Sequence, residues 1–133
     1  MVTGENVRHG PGARWLIVTA LVVIALLLGG RYLLLFIGAT EGDVPSSTSL
    51  PLPIGTEIVS EQSGCGSGGC WLELTVRPPR GTSPQELAEQ MGADPQLEIP
   101  GNLLDPRTTW VRAEPGSSLL TLQADYFSQR WVP

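Results

Sequence analysis

The hydrophobic pattern divides the chain into an unbroken apolar run, an aperiodic stretch, and a region of short alternating segments. Residues 15–37 read WLIVTALVVIALLLGGRYLLLFI and have no polar face. A helix of that length covers ~35 Å at 1.5 Å per residue, enough to cross ~30 Å of hydrocarbon. A secretory leader has an apolar region of only ~7–15 residues. The run therefore predicts a transmembrane helix that stays on the protein, although the small residues at 38–40 would permit cleavage. Residues 43–53, DVPSSTSLPLP, show no period and are rich in Pro and Ser, which predicts an extended linker.

Beyond the linker the period changes. Residues 71–77, WLELTVR, set Leu72, Leu74 and Val76 on one side and Glu73, Thr75 and Arg77 on the other, the mark of a half-buried strand. Residues 57–62 predict a strand before it, with the glycine-rich stretch 64–70 as the loop between them. Pro78 and Pro79 end the second strand, because proline cannot donate to a ladder. Ser83, Pro84 and Glu86 then form a helix start: a capping hydroxyl, a proline suited to the first helical position, and a carboxylate that closes a capping box. Leu87, Ala88 and Met91 give the helix one apolar face, and Gly92 is a left-handed stop.

Residues 93–106 carry three prolines and no period, and read as a surface connection with Leu97, Ile99, Leu103 and Leu104 tucked beneath it. Residues 108–113 and 119–127 predict a closing hairpin around Glu114-Pro115-Gly116-Ser117, whose central Pro-Gly suits a type II turn.

The fold class expected is a single N-terminal transmembrane α-helix followed by a small extracytoplasmic α+β domain. Its antiparallel sheet would run roughly β-β-α-β-β, with the helix over one face. The corresponding division is a cytoplasmic tail at 1–14, a transmembrane helix at 15–37, a Pro/Ser-rich linker at 38–55, and the small domain at 56–133. A domain this short has a modest core and gains from a staple.

Charge adds direction. Arg8, Arg14 and the terminal amine flank one end of the apolar run. Glu41 and Asp43 flank the other, with no further cation until Arg77. The positive-inside rule then places the N-terminus in the cytoplasm and the C-terminal domain outside. All eight cationic side chains are Arg and none is Lys. That bias is associated with a GC-rich genome, which suggests a bacterial, even actinobacterial, plasma membrane. The domain's acidic balance argues against nucleic acid as a partner.

Arg31 interrupts the apolar run beside Gly29 and Gly30. A cation six residues from the outer end can snorkel to the headgroups, with Tyr32 at the interface. The sharper reading pairs Arg31 with a carboxylate on a partner helix admitted by the glycine notch. Snorkelling suffices to explain the residue.

Cys65 and Cys70 are the most distinctive pair, and outside the cytoplasm they would oxidise to a disulfide staple. A redox-active dithiol lacks a nearby cation and the C-x-x-C spacing. A metal site lacks further ligands, since no other Cys exists and the single histidine, His9, lies in the tail. Gly64, Gly66 and Gly69 match G-x-G-x-x-G, but a strand follows where a phosphate cradle needs a helix.

The carboxylates Glu57, Glu61, Glu73, Glu86, Glu89, Asp94, Glu98, Asp105, Glu114 and Asp125 are scattered and read as a solvated surface. Trp71 and Trp110 fall opposite the aliphatic positions, so they either form a surface binding patch or cover the second face of the sheet; Trp131 is the third aromatic of note. No catalytic residue, cofactor or metal is expected.

The function expected is a membrane-anchored, non-enzymatic accessory or interaction protein of the cell envelope, with the lipid bilayer and an envelope protein as partners. The alternatives are an extracytoplasmic thiol–disulfide protein using Cys65 and Cys70, and a small single-pass subunit of a larger membrane complex.

Overall fold

The computed structural model describes residues 11–129. Arg8 and His9 of the expected tail, and Trp131, lie outside the described residues. The chain divides into two compact units, one ending at Leu34 and the other beginning at Leu35.

The long helix α1 spans Pro11–Glu41. Within it, Gly12–Ile37 is 26 residues long and apolar enough to cross a membrane, covering about 39 Å at the helical rise. Apolar side chains point outward on every side, including Leu21, Ile24, Leu27 and Leu34, and all are exposed. Thr19, one of its few polar residues, donates its hydroxyl to the Trp15 carbonyl at 2.9 Å, which satisfies the side chain without water.

The second unit contains β1 (Glu57–Gly66), β2 (Gly69–Arg77), α2 (Pro84–Met91), β3 (Leu97–Ile99), β4 (Thr109–Pro115) and β5 (Leu120–Asp125). The strands form one sheet in the order β1-β2-β5-β4-β3, and every neighbouring pair is antiparallel. Leu72, Leu74 and Val76 of β2, Leu120, Leu122 and Ala124 of β5, and Val111 of β4 form a buried sheet face. Leu87, Ala88 and Met91 of α2 pack on it as one cluster. A small antiparallel sheet with one helix is thus what the alternation and the capping signals specify.

The helix start is built as the residue types dictate. The Glu86 amide donates to the Ser83 hydroxyl at 3.2 Å, and the Ser83 amide donates to the Glu86 carboxylate at 2.7 Å. Hydrogen bonding from Ser83 to the Glu86 carboxyl, from its amide first and then from its side chain, holds that carboxyl below the usual carboxylate range. Gly92 ends the helix at φ 70° and ψ 22°, a conformation costly for a residue with a Cβ.

Leu103 and Leu104, expected beneath the 93–106 connection, are exposed instead, and four features of the backbone path also differ from the pattern-based expectation. The stretch 64–70 is not a free loop, because the ladder continues through Cys65↔Cys70 to Gly66↔Gly69 and leaves Ser67 and Gly68 as the turn. Leu97–Ile99 forms a fifth strand that pairs with β4 at the sheet edge. Its three residues alternate, but flanking prolines hide so short a period. The last turn sits two residues later than expected: Pro115 stays opposite Leu120 in the ladder, and the Gly116 amide donates to the Leu119 carbonyl at 2.8 Å.

The fourth difference is the largest. Residues 43–53 do not form a free-standing stalk. Pro45 and Leu50 are buried, and Val44 and Leu52 pack against the core cluster. A 3-10 turn at Ser47–Ser49 is capped by the Ser46 side chain, and the Ser47 hydroxyl donates to Glu61 at 2.9 Å. Four apolar residues with no regular spacing carry no periodic signal, yet together they help cover a sheet face that an eight-residue helix leaves partly open.

Candidate functional site

The face of the sheet away from the core carries the candidate patch. Strand alternation places Trp71, Glu73 and Thr75 of β2 on this face, and with them Trp110, Arg112 and Glu114 of β4. The register aligns them into rows. Gly64 faces Trp71, Trp110 faces Asp125, and Glu98 faces Trp110. Because Leu72 faces Ala124, one further step brings Trp71 level with Asp125. Trp71 and Trp110 therefore stand in the same row, separated by one strand, at roughly 10 Å for two inter-strand spacings. The next row holds Glu73, Gln123 and Arg112.

The glycines of the hairpin acquire a role that spacing alone did not reveal. A Cβ on Gly64 would lie 2.7 Å from the Trp71 indole, and one on Gly69 would lie 2.7 Å from the Phe127 ring. Real Cβ atoms do not approach so closely, so the glycines are seats for aromatic rings. Trp71 is half-buried as a result, as is Trp110.

Asp125, one of many scattered acids in the sequence, is buried between the two tryptophan positions. Its carboxylate accepts hydrogen bonds from the Ser128 amide at 2.6 Å, the Phe127 amide at 3.1 Å and the Ser128 hydroxyl at 2.8 Å. These bonds offset its desolvation and fold the chain after β5 back over the row. An acid followed three residues later by Ser is the local signal that could have found it.

Cys65 and Cys70 are directly opposite each other and joined by a disulfide, with an S–S distance of 2.03 Å. Cys65 is exposed and Cys70 half-buried. The Cβ position of Gly42, whose φ is +123°, lies 3.2 Å from Cys70 Sγ, so the chain just after α1 runs against the hairpin tip.

A second buried polar group was not singled out from the sequence. Arg107 is only 7 % exposed. It donates from Nε and Nη2 to the two oxygens of Asp105 at 2.8 and 2.7 Å, and from Nη1 to Asp43 at 2.5 Å. Its guanidinium also lies 4.0 Å from the Tyr126 ring centroid. The Asp105 bonds raise the Arg107 pKa above its already high value despite the opposing cost of burial. Burial pushes the Tyr126 hydroxyl up, and the adjacent guanidinium pulls against that shift. A buried cation held by two carboxylates and an aromatic face is a structural clamp.

Gly29, Gly30 and Arg31 lie on α1, apart from the tryptophan row in the chain. A Cβ at either glycine would meet open space, and Arg31 is exposed. Among the described residues, no group of three or more His, Cys, Asp or Glu side chains is arranged to hold a metal ion. Comparison with known protein families, characterised proteins and solved structures gave no match.

Proposed function

We propose that this protein is a single-pass membrane protein with its N-terminus in the cytoplasm, and that its external domain is a non-enzymatic interaction module of the cell envelope. The observation that carries the reading is a 26-residue apolar helical span followed within a few residues by a domain with its own buried core. Apolar surface on every side of a helix has no favourable solvent but lipid. The charge asymmetry around the span supports the orientation. The contact surface is the sheet face bearing Trp71 and Trp110, where two half-exposed indoles lie among Glu73, Arg112 and Gln123 side chains. Aromatic anchors ringed by polar groups are the composition of protein-binding patches. The Cys65–Cys70 disulfide is the staple of the hairpin that carries Trp71, worth about 2 kcal/mol for so short a loop.

The test combines topology with contact. A reporter fused after Pro133 should be active only in its exported form, and cytoplasmic activity would reverse the orientation. A photo-cross-linking amino acid in place of Glu73 should capture a discrete envelope protein in intact membranes. The same probe in place of Ser117, in the β4–β5 turn, should not. Equal capture at both positions, or none at Glu73, would remove the sheet face as the contact surface.

A further inference from the structure

The loop between β3 and β4 projects two large apolar side chains from a rigid base. Leu103 is 76 % exposed and Leu104 67 %. The Asn102 side-chain oxygen accepts from the Leu104 amide at 2.8 Å and from the Asp105 amide at 3.0 Å. The Asn102 amide donates to the Asp105 carbonyl at 2.7 Å. Gly101 permits the two ends of the loop to pass in contact, since a Cβ there would collide with the Pro106 backbone. Asp105 is then held by Arg107. Such bracing presents Leu103 and Leu104 in a fixed conformation, which lowers the ordering cost of any contact they make.

The position of this loop in the sheet selects its partner. The register places the β1–β2 hairpin tip, the end of β5, the start of β4 and the end of β3 at one end of the sheet. The chain arrives from α1 at that same end. Gly42 runs against Cys70, and Asp43 is ion-paired to Arg107, two residues beyond Asp105. Asp43 follows Ile37, the last residue of the apolar span, by six residues. Six residues reach at most about 20 Å even fully extended. A membrane holding α1 therefore lies within reach of this end of the domain. Phe127, 38 % exposed, is at the same end.

Resting on the membrane-span reading above, we propose that loop 101–106 is a second membrane contact, with Leu103 and Leu104 in the interfacial layer of the bilayer. Two leucines alone would bind lipid weakly, but tethering by α1 makes the contact intramolecular, so a weak contact is populated. The partner is the lipid surface itself. The opposite end of the sheet supplies the control, because Ile54, fully exposed at 101 %, precedes β1 there. Apolarity without proximity should leave Ile54 in water.

The experiment uses the full chain in phosphatidylcholine–phosphatidylglycerol nanodiscs, with an environment-sensitive fluorophore on Leu103→Cys, Ile54→Cys or Leu21→Cys and the native disulfide intact. Lipids carrying a quencher near the headgroup or deep in the acyl chain are added in parallel. The expected result is strong quenching of Leu21→Cys by the deep quencher. Leu103→Cys should be quenched by the shallow quencher several-fold more than Ile54→Cys. Leu103→Cys quenched no more than Ile54→Cys, with Leu21→Cys quenched, would overturn the loop contact and leave the span standing. A fluorophore at 103 that is shielded from water yet unquenched by lipid would also overturn it, and would mark a protein partner instead. Absence of quenching at Leu21→Cys would overturn the span and the loop contact together.

Discussion

The two helices dispose of their apolar side chains in opposite ways. The long helix α1 has apolar side chains on every side and buries none of them in protein. The short helix α2 has a single apolar face and buries all of it, through Leu87, Ala88 and Met91. Length and capping differ accordingly. At eight residues, α2 is below the ~12 residues at which isolated helices become marginal, and it relies on a capping box, a left-handed glycine and the sheet. The first turn of α1 has no acidic residue and its last turn has no basic one. A helix in hydrocarbon is held by the expense of exposing its own backbone groups to lipid. An apolar stripe is information about a protein core, whereas an apolar cylinder is information about a membrane.

The largest effect should separate the two helices. Val22→Asp puts a carboxylate near the middle of α1, at a cost of ~2.5 kcal/mol or more for a bilayer centre. Recovery in alkali-washed membranes should fall sharply. Gln90→Asp on the exposed side of α2 should leave membrane recovery unchanged and stability within ~0.5 kcal/mol of the parent. Full membrane retention of Val22→Asp would break the comparison.

The next effect belongs to α2 alone. Leu87 is fully buried, so Leu87→Ala should cost ~2–5 kcal/mol of domain stability, read as a lower urea midpoint with membrane recovery unchanged. A loss under ~1 kcal/mol would mean that the sheet does not depend on α2 for its cover.

The smallest effect sharpens the capping side of the contrast. Ser83→Ala should cost about 1 kcal/mol. The Glu86 carboxyl is held below its ordinary value of 4.5 by the Ser83 amide and then the Ser83 hydroxyl. Because the folded-state pKa is the lower one, the contribution of Glu86 is present above pH 4.5 and is lost as pH falls through the folded value. Glu86→Gln should therefore lower the urea midpoint near neutrality, leave it little changed at acid pH where Glu86 is already protonated, and so flatten the acid limb of the stability curve. Urea midpoints measured between neutral and acid pH check this, and an unchanged acid slope would assign the limb to other carboxylates.

Local signals were legible wherever the chemistry is local. The apolar length of residues 15–37, the alternation of 71–77, and the capping box with its glycine stop are each written within a few consecutive residues, and each appears as such in the structure. What could not be read is where residues meet at long range. Val44, Pro45, Leu50 and Leu52 join the core without any period to announce them, because a covering segment needs only contact with the sheet. The glycines of 64–69 looked like a flexible loop, but whether a glycine frees the backbone or seats a ring depends on the ring that arrives. Trp71 and Trp110 could be assigned to one side of their strands from alternation, but only the strand order β1-β2-β5-β4-β3 puts a single strand between them. Arg107 was one cation among eight until tertiary structure brought Asp43 to it from 64 residues away. By itself the sequence determined the apolar length of α1, the single apolar face of α2 and the alternation of β2, since each follows from the order of neighbouring side chains. Tertiary structure alone decided the tryptophan row, the buried clamp and the loop beside the arriving chain, because each depends on strand pairing between residues far apart along the backbone.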